Sequence, residues 1–287
     1  MARRADALST NAPGDFYVDR SCIDCATCRW VAPDTFDRAQ GKSRVHAQPG
    51  RGTTAQLRAQ MALLACPVCA IGTRSRHGLT AAREAFPDPI EPPVYHCGYH
   101  SEKSFGAASY LILRDEGNLM IDSPRFTRSL VTRLEALGGI RWLFLTHRDD
   151  VADHDRFAAH FGCSRILHEA DITPATRGVE MPLQGREPIL LSPDVTLIPV
   201  PGHSAGSVCL LFQDRFLFSG DHLAWDASAQ QLIAYRDYCS YSWEAQRRSV
   251  LALRDFTFEW ILPGHGERVQ LERKCMREAL ERLAHQM

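Results

Sequence analysis

The chain has 287 residues, 45% of them hydrophobic, and its 33 Lys plus Arg against 34 Asp plus Glu leave a formal charge of -1. That length supports a sizeable core and more than one domain. The balanced charge excludes a sequence-blind binder of nucleic acid or of a membrane surface, which needs a basic excess. No apolar run approaches the ~20 residues of a membrane helix. The opening MARRADALSTNAPGD has no apolar stretch behind its arginines, so a secretory signal is not expected. Ten cysteines without an export signal point to a reducing, cytoplasmic setting, with metal-binding and buried free thiols in place of disulfides.

In chain order, residues 1–13 are expected to be a disordered tail and 14–80 a small α+β domain. The stretch CIDCATCRWVAP puts Cys22, Cys25 and Cys28 at two-residue gaps. Thiolates so spaced let one short loop wrap a metal-sulfur cube. A continuing Cys-Pro would ligate a second cube, but that position holds Ala32 before Pro33. The second Cys-Pro occurs as Cys66-Pro67, and the positions upstream where its own cysteines would stand are Gln56, Ala59 and Ala62. The pattern therefore predicts one cluster, held by Cys22, Cys25, Cys28 and the remote Cys66. A zinc knot or structural thiols are the alternatives, although zinc sites usually present two separated pairs.

Through CIDCATC, APDTF, VHAQPG and ACPVCAIG, the segment from about Phe16 to Thr73 resembles single-cluster [4Fe-4S] ferredoxins. Cys69 is read as a small buried residue. Cys97, Cys163, Cys209, Cys239 and Cys275 stand alone and read as core filler.

AFPDPIEPPVY carries Pro87, Pro89, Pro92 and Pro93. Prolines lack the amide donor, so residues 81–94 are expected to be an extended linker outside any central strand. Beyond it, in residues 95–287, Ala107–Arg114 and Asn118–Ser123 read as a hairpin, and Thr127 as the cap of a helix ending at Gly138-Gly139. Ile140–Leu145 is a buried strand and Val151–Phe161 a helix. The strands VTLIPV, SVCLLFQ and RFLFSG follow, then a helix from Trp243 to about Arg254, the strand EWILPG and a closing amphipathic helix. Such alternation predicts a layered α/β fold.

Four predicted strands run into metal-ligand residue types: LFLTHRDDVADH (His147), IPVPGHSAGS (His203), FLFSGDHL (Asp221) and ILPGHGE (His265). A strand end followed by a glycine-flanked His or Asp lies where loops converge on a site. In order and context, the region from Tyr95 onward resembles the metallo-β-lactamase superfamily, which implies an αβ/βα sandwich with one or two divalent metal ions. LPGHG and SWEAQRRS look most like its hydroxyacylglutathione-hydrolase branch.

The resemblance matches His147 to the first histidine of the family's H-x-H-x-D-H motif, His203 to the next, Asp221 to the bridging carboxylate and His265 to the last. Asp149 replaces the second histidine. The family's Asp-His pair falls on Val151 and Ala152, while Asp153-His154 comes two residues late. On a helix that offset turns both side chains away by about 200°. They are therefore expected to be solvated, unless a bulge restores the register. Asp150 is the candidate catalytic base, with a ligand or a helix N-cap as its other readings.

One metal is thus expected at His147, Asp149, His203 and Asp221, and a second at Asp221, His265 and some third group. Two histidines with a carboxylate suit iron, and flavodiiron proteins of this fold also use a carboxylate there, so zinc, iron and manganese stay open. His222 reads as a support for Asp221. His96, His100 and His168 receive no role, and Arg125 and Tyr241 are weak candidates for contacting a substrate anion.

By resemblance the nominal function is a metal-dependent hydrolase of a small ester or thioester. A non-haem iron oxidoreductase fed by the cluster, and served by a redox partner protein, is the alternative. A non-catalytic redox sensor is the third reading.

Overall fold

The computed structural model describes residues 2–287. Two compact units emerge: Met1–Arg141 with Ala152–Cys163, and Trp142–Val151 with Ser164–Met287.

In the first unit, strand Phe16–Val18 pairs antiparallel with Ile71–Thr73, and Phe36–Ala39 forms a hairpin with Lys42–Val45. The helix Thr54–Ala65 starts at Thr53, whose hydroxyl accepts from the Gln56 amide and satisfies one orphan donor of the first turn. Four antiparallel strands follow, Asp88–Glu91, Val94–His96, Tyr110–Ile112 and Leu119–Ile121. Thr127 caps the helix Arg128–Ala136 as its sequence predicts. The Asn118 side chain then donates to the Leu137 and Gly139 carbonyls, so the helix end is hydrogen-bonded rather than buried bare. Phe86, Leu111, Ile112, Leu119, Leu134 and Phe157 are among its fully buried side chains.

Three expectations for this unit are corrected. Residues 2–13 are not a disordered tail. Arg4–Asp6 is a short 3-10 turn, Arg3 N donates to Asp19, and the Leu8 and Ala12 amides donate to Val18 and Val45. Nor is 81–94 a linker, because it contains the end of helix Thr80–Glu84 and the whole strand Asp88–Glu91. Pro89 is accommodated because that strand lies at a sheet edge, where a missing amide donor costs little. Asp153 and His154 are not solvated; they are 5% and 3% exposed. Asp153 accepts from Lys103 Nζ at 2.6 Å and from the Phe126 amide at 2.9 Å, and the helix begins only at His154.

In the second unit, Trp142–Phe144, Ser164–His168 and Met181–Leu183 are parallel. A six-stranded sheet runs in the order Ile189–Ser192, Val195–Pro199, Val208–Phe212, Phe216–Gly220, Trp260–Pro263, Val269–Gln270. Its Phe216–Gly220 and Trp260–Pro263 strands are parallel neighbours, so their carboxyl ends, and the residues just beyond, come out together. The helices Trp243–Ala252 and Arg273–Gln286 bury Val250, Met276 and Leu280 with Ile198, Leu217 and Ile261 of the sheet. Layering of helices on sheets agrees with the α/β expectation.

Phe218 is fully buried in the six-stranded sheet, whereas Tyr238 is 71% exposed. Phe218→Ala should therefore cost about 3–5 kcal/mol through lost contacts and the cavity left behind. Tyr238→Ala should stay within about 0.5 kcal/mol. Urea unfolding followed by circular dichroism measures both.

Candidate functional site

The second unit gathers His147, Asp149, Asp150, His203, Asp221 and His265 at the ends of its strands. Asp221 lies at the centre. Its Oδ2 is 3.6 Å from His147 Nε2, 3.8 Å from His203 Nε2 and 3.9 Å from His265 Nε2. Asp149 Oδ2 is 3.8 Å from His147 Nε2 and 3.5 Å from His203 Nε2. Asp150 Oδ1 is 3.8 Å from His265 Nε2. Donors held on a tetrahedral ion with bonds of about 2.0–2.2 Å stand roughly 3.3–3.6 Å apart, so these spacings are close to those of a loaded site. Ligand atoms of His147, Asp149 and His203 fall within 4.8 Å of one another, as do those of His147, Asp150 and Asp221.

The chemistry of the donor set fits a cation. His147 Nε2, His203 Nε2, Asp150 Oδ2 and Asp221 Oδ1 are buried without a hydrogen-bond partner, a costly condition unless an ion satisfies them. Burial, and then the neighbouring Asp221 carboxylate, push the Asp150 carboxyl above its ordinary range. The His203 ring beside it is the main influence holding Asp149 below the usual carboxylate range. Burial works against a charge on His203, yet Asp149 and Asp221 raise its ring above the ordinary value. Two opposed carboxylates among imidazoles form a receptor for positive charge.

Local structure explains the positions. Gly220, with φ +50°, lets the chain turn where a Cβ would lie 2.5 Å from Thr146 Oγ1. That hydroxyl is 3.0 Å from His147 Nδ1, which leaves Nε2 aimed at the carboxylates. At Gly264 a Cβ would sit 2.7 Å from Asp150 Oδ2 and 2.8 Å from Asp221 Oδ1, so only glycine fits before His265.

Asp171, which no sequence signal singled out, and two residues of the SWEAQRRS segment hold the loops together. Asp171, 1% exposed, accepts from the Arg148 amide at 3.0 Å, the Gly206 amide at 2.9 Å and the Ser204 hydroxyl. One carboxylate thereby ties the His147 loop to the His203 loop. Gln246, on the helix after Tyr241, donates to the His222 carbonyl at 2.8 Å, and Ser249 donates to the Pro201 carbonyl. The SWEAQRRS segment thus braces the PGH and GDH turns from below. His222 is fully buried, which pushes its ring down to about 3 and keeps it neutral. His168 is structural, accepting from the Ala170 amide and facing the Gly185 carbonyl.

In the first unit, Cys22, Cys25, Cys28 and Cys66 line one cavity with Val18, Ile23 and Ile71. None is in a disulfide. Asp24 and Ala26 adopt left-handed conformations, φ +60° and +66°, which fold the C-x2-C-x2-C loop inward. Burial raises the Cys28 thiol strongly, and the sulfurs of Cys25, Cys66 and Cys22 raise it further. Cys66 is pushed up to about 11, mainly by burial, even though its sulfur accepts from the Ala70 amide at 3.2 Å. Four thiols lining one cavity, Cys28 and Cys66 buried and Cys22 and Cys25 half-buried, suit soft iron-sulfur ligation. Cys69 lies beside this cavity with its sulfur 3.5 Å from Arg125, which also donates to the Leu64 carbonyl. Arg125 is therefore engaged in its own unit, while Tyr241 is 49% exposed.

Comparison with known proteins finds two families along the chain. Residues 104–265 match the family described as the metallo-beta-lactamase superfamily. The chain belongs to that superfamily. Residues 18–73 match the 4Fe-4S single cluster domain of Ferredoxin I, so a single-cluster ferredoxin domain precedes the larger fold. Among curated relatives, the acyl-coenzyme A thioesterase MBLAC2 of Bos taurus is 32% identical over 209 residues, 57% of this chain and 74% of that protein. Its Homo sapiens counterpart is 32% identical over 112 residues, 35% of this chain and 39% of that protein. Among solved structures, the DIM-1 metallo-beta-lactamase superposes with TM-score 0.53 at 14% identity, covering 69% of this chain and 95% of its own. ETHE1 from Myxococcus xanthus gives 0.50 at 15% identity, covering 67% and 84%. These likenesses carry the fold alone.

Two substitutions separate the centres. His203→Ala should lower the second unit's affinity for its ion by 100-fold or more, on the order of 3 kcal/mol, and leave iron and sulfide at the cysteines unchanged. Cys66→Ser should bleach the brown absorption near ~400 nm and leave the other ion in place. Elemental analysis with sulfide determination on anaerobically purified protein reads both.

Proposed function

We propose that this chain is a metal-dependent hydrolase of a small thioester, with a [4Fe-4S] cluster held by Cys22, Cys25, Cys28 and Cys66. The observation that carries the reading is the group of buried atoms without a hydrogen-bond partner that meet at Asp221: His147 Nε2, His203 Nε2, Asp150 Oδ2 and Asp221 Oδ1. His147, Asp149 and His203 would hold one ion, Asp150 and His265 a second, and Asp221 would face both. Asp150 then serves as the third group of the second site, in place of the catalytic base expected of it. Its burial and its approach to His265 and Asp221 support a ligand role.

A divalent ion held by these residues would supply a water acidified toward pKa ~7 and would polarise a substrate carbonyl. The protein's own contribution is to fix that geometry. Asp171 holds two ligand loops in register, Thr146 orients the His147 ring, and the buried neutral His222 adds no competing charge beside Asp221. The thioester class follows from the MBLAC2 relatives, which are named as acyl-coenzyme A thioesterases. One observation favours a redox reading as well: Asp149 replaces an imidazole, and a donor set of more oxygen suits iron or manganese better than zinc.

Thiol release from a panel of acyl-coenzyme A thioesters, measured on metal-replete protein with the cluster oxidised or reduced, tests the two readings. Hydrolysis that is independent of cluster state and falls at least 100-fold in His203→Ala supports the hydrolase. Turnover only with reduced protein, or none on any thioester, overturns it.

A further inference from the structure

The proposed function leaves unused two fully buried histidines in the first unit. His96 and His100 are 0% and 1% exposed, and their Nε2 atoms are 2.8 Å apart. His100 Nδ1 is 2.7 Å from the Gly106 carbonyl and 3.2 Å from the Thr27 hydroxyl. Thr27 Oγ1 is in turn 3.3 Å from Cys25 Sγ. A continuous chain of polar atoms thus joins a cysteine of the cluster cavity to a pair of imidazoles.

The hydrogens along this chain can be placed. A carbonyl oxygen only accepts, so His100 Nδ1 carries a hydrogen directed at Gly106, with Thr27 Oγ1 sharing it. A cysteine bound to iron is a thiolate and only accepts, so the Thr27 hydroxyl donates to Cys25 Sγ. With its hydrogen on Nδ1, neutral His100 presents a bare Nε2, and His96 Nε2–H donates to it. The pair can accept one further proton, becoming an imidazolium–imidazole pair that keeps the Nε2–H···Nε2 bond. A positive charge at so buried a place is costly unless a negative charge appears nearby.

We propose that the His96–His100 pair is a proton site coupled to the cluster, taking up one proton from water when one electron enters the cluster from an external one-electron donor. The cluster's charge falls by one as the pair's rises by one, so no net charge is buried. The groups facing the pair fit this role. Trp30 packs on both rings, with centroids at 4.6 and 5.5 Å, and Phe86 and Tyr110 pack on His96. Asp88 is the cross-strand partner of His96, and its carboxylate is already paired with Arg58 at 2.8 Å. Tyr99 packs on the far side of this group, against Phe86 at 5.4 Å between ring centroids.

This inference rests on the four cysteines holding a cluster, and one experiment separates the two claims. The midpoint potential of the anaerobic full-length protein is measured against pH by dye-mediated titration with dithionite, followed by visible absorption and electron paramagnetic resonance. Between the proton affinities of the pair in the oxidised and reduced protein, the reduction equilibrium should weaken tenfold per pH unit, a fall of about 59 mV. Below and above that interval the potential should be flat. His96→Gln/His100→Asn should abolish the slope while retaining the cluster spectrum. His96→Gln alone, which keeps a donor to His100 and alters nothing that touches Thr27, should flatten it if the double variant does not assemble. A cluster whose potential ignores pH in the wild-type protein, or whose slope survives His96→Gln, overturns the coupling. Protein without a cluster spectrum overturns the cysteine assignment instead.

Discussion

A single carboxylate oxygen, Asp221 Oδ2, faces three imidazole nitrogens, and the second unit is organised around that arrangement. Left unmade, each buried hydrogen-bonding group costs about 1–3 kcal/mol, and four such atoms meet here. An arrangement so unfavourable by itself persists because the surrounding fold over-determines it. Strands Phe216–Gly220 and Trp260–Pro263 run parallel and deliver Asp221 and His265 side by side. Asp171 ties two more ligand loops, and the helix Trp243–Ala252 braces the turns beneath.

The two units address different kinds of ion by different means. In the first, four thiols line one cavity with apolar side chains, and burial with neighbouring sulfurs raises the proton affinity of Cys25, Cys28 and Cys66. In the second, oxygen and imidazole donors present a harder surface, with carboxylates supplying the negative charge. The sensitivity of each centre to pH differs accordingly. Burial pushes the Cys66 thiol up to about 11, whereas the His203 ring holds Asp149 below the usual carboxylate range.

Much of this was legible in the sequence because the signals are local. Cysteine spacing, the PGH and GDH turns, and the Thr127 cap each depend on a few adjacent residues. Less legible were features made by distant parts of the chain. The prolines at 87–93 read as a linker because the lost amide donors dominate the local pattern, yet an edge strand tolerates them. Asp153 read as solvated because helical periodicity cannot reveal Lys103, 50 residues away, beside it. Asp171 carries no motif at all; its role exists only once the loops at Arg148 and Gly206 have been brought to it. Asp150 has three readings in the sequence because nothing local reveals that His265 and Asp221 lie against it.

Gly106 packs so tightly on the cluster loop that a Cβ there would lie 2.8 Å from Cys25 Cβ and 3.1 Å from Pro67. It stands beyond the ferredoxin-like stretch, which ends at residue 73. The same is true of His100, whose amide donates to the Ala65 carbonyl, and of Arg125, which donates to Leu64. The iron-binding module is therefore not a detachable cassette. Trimmed at residue 73, it would lose the wall that shields Cys25, so fusion here has become structural dependence rather than mere tethering.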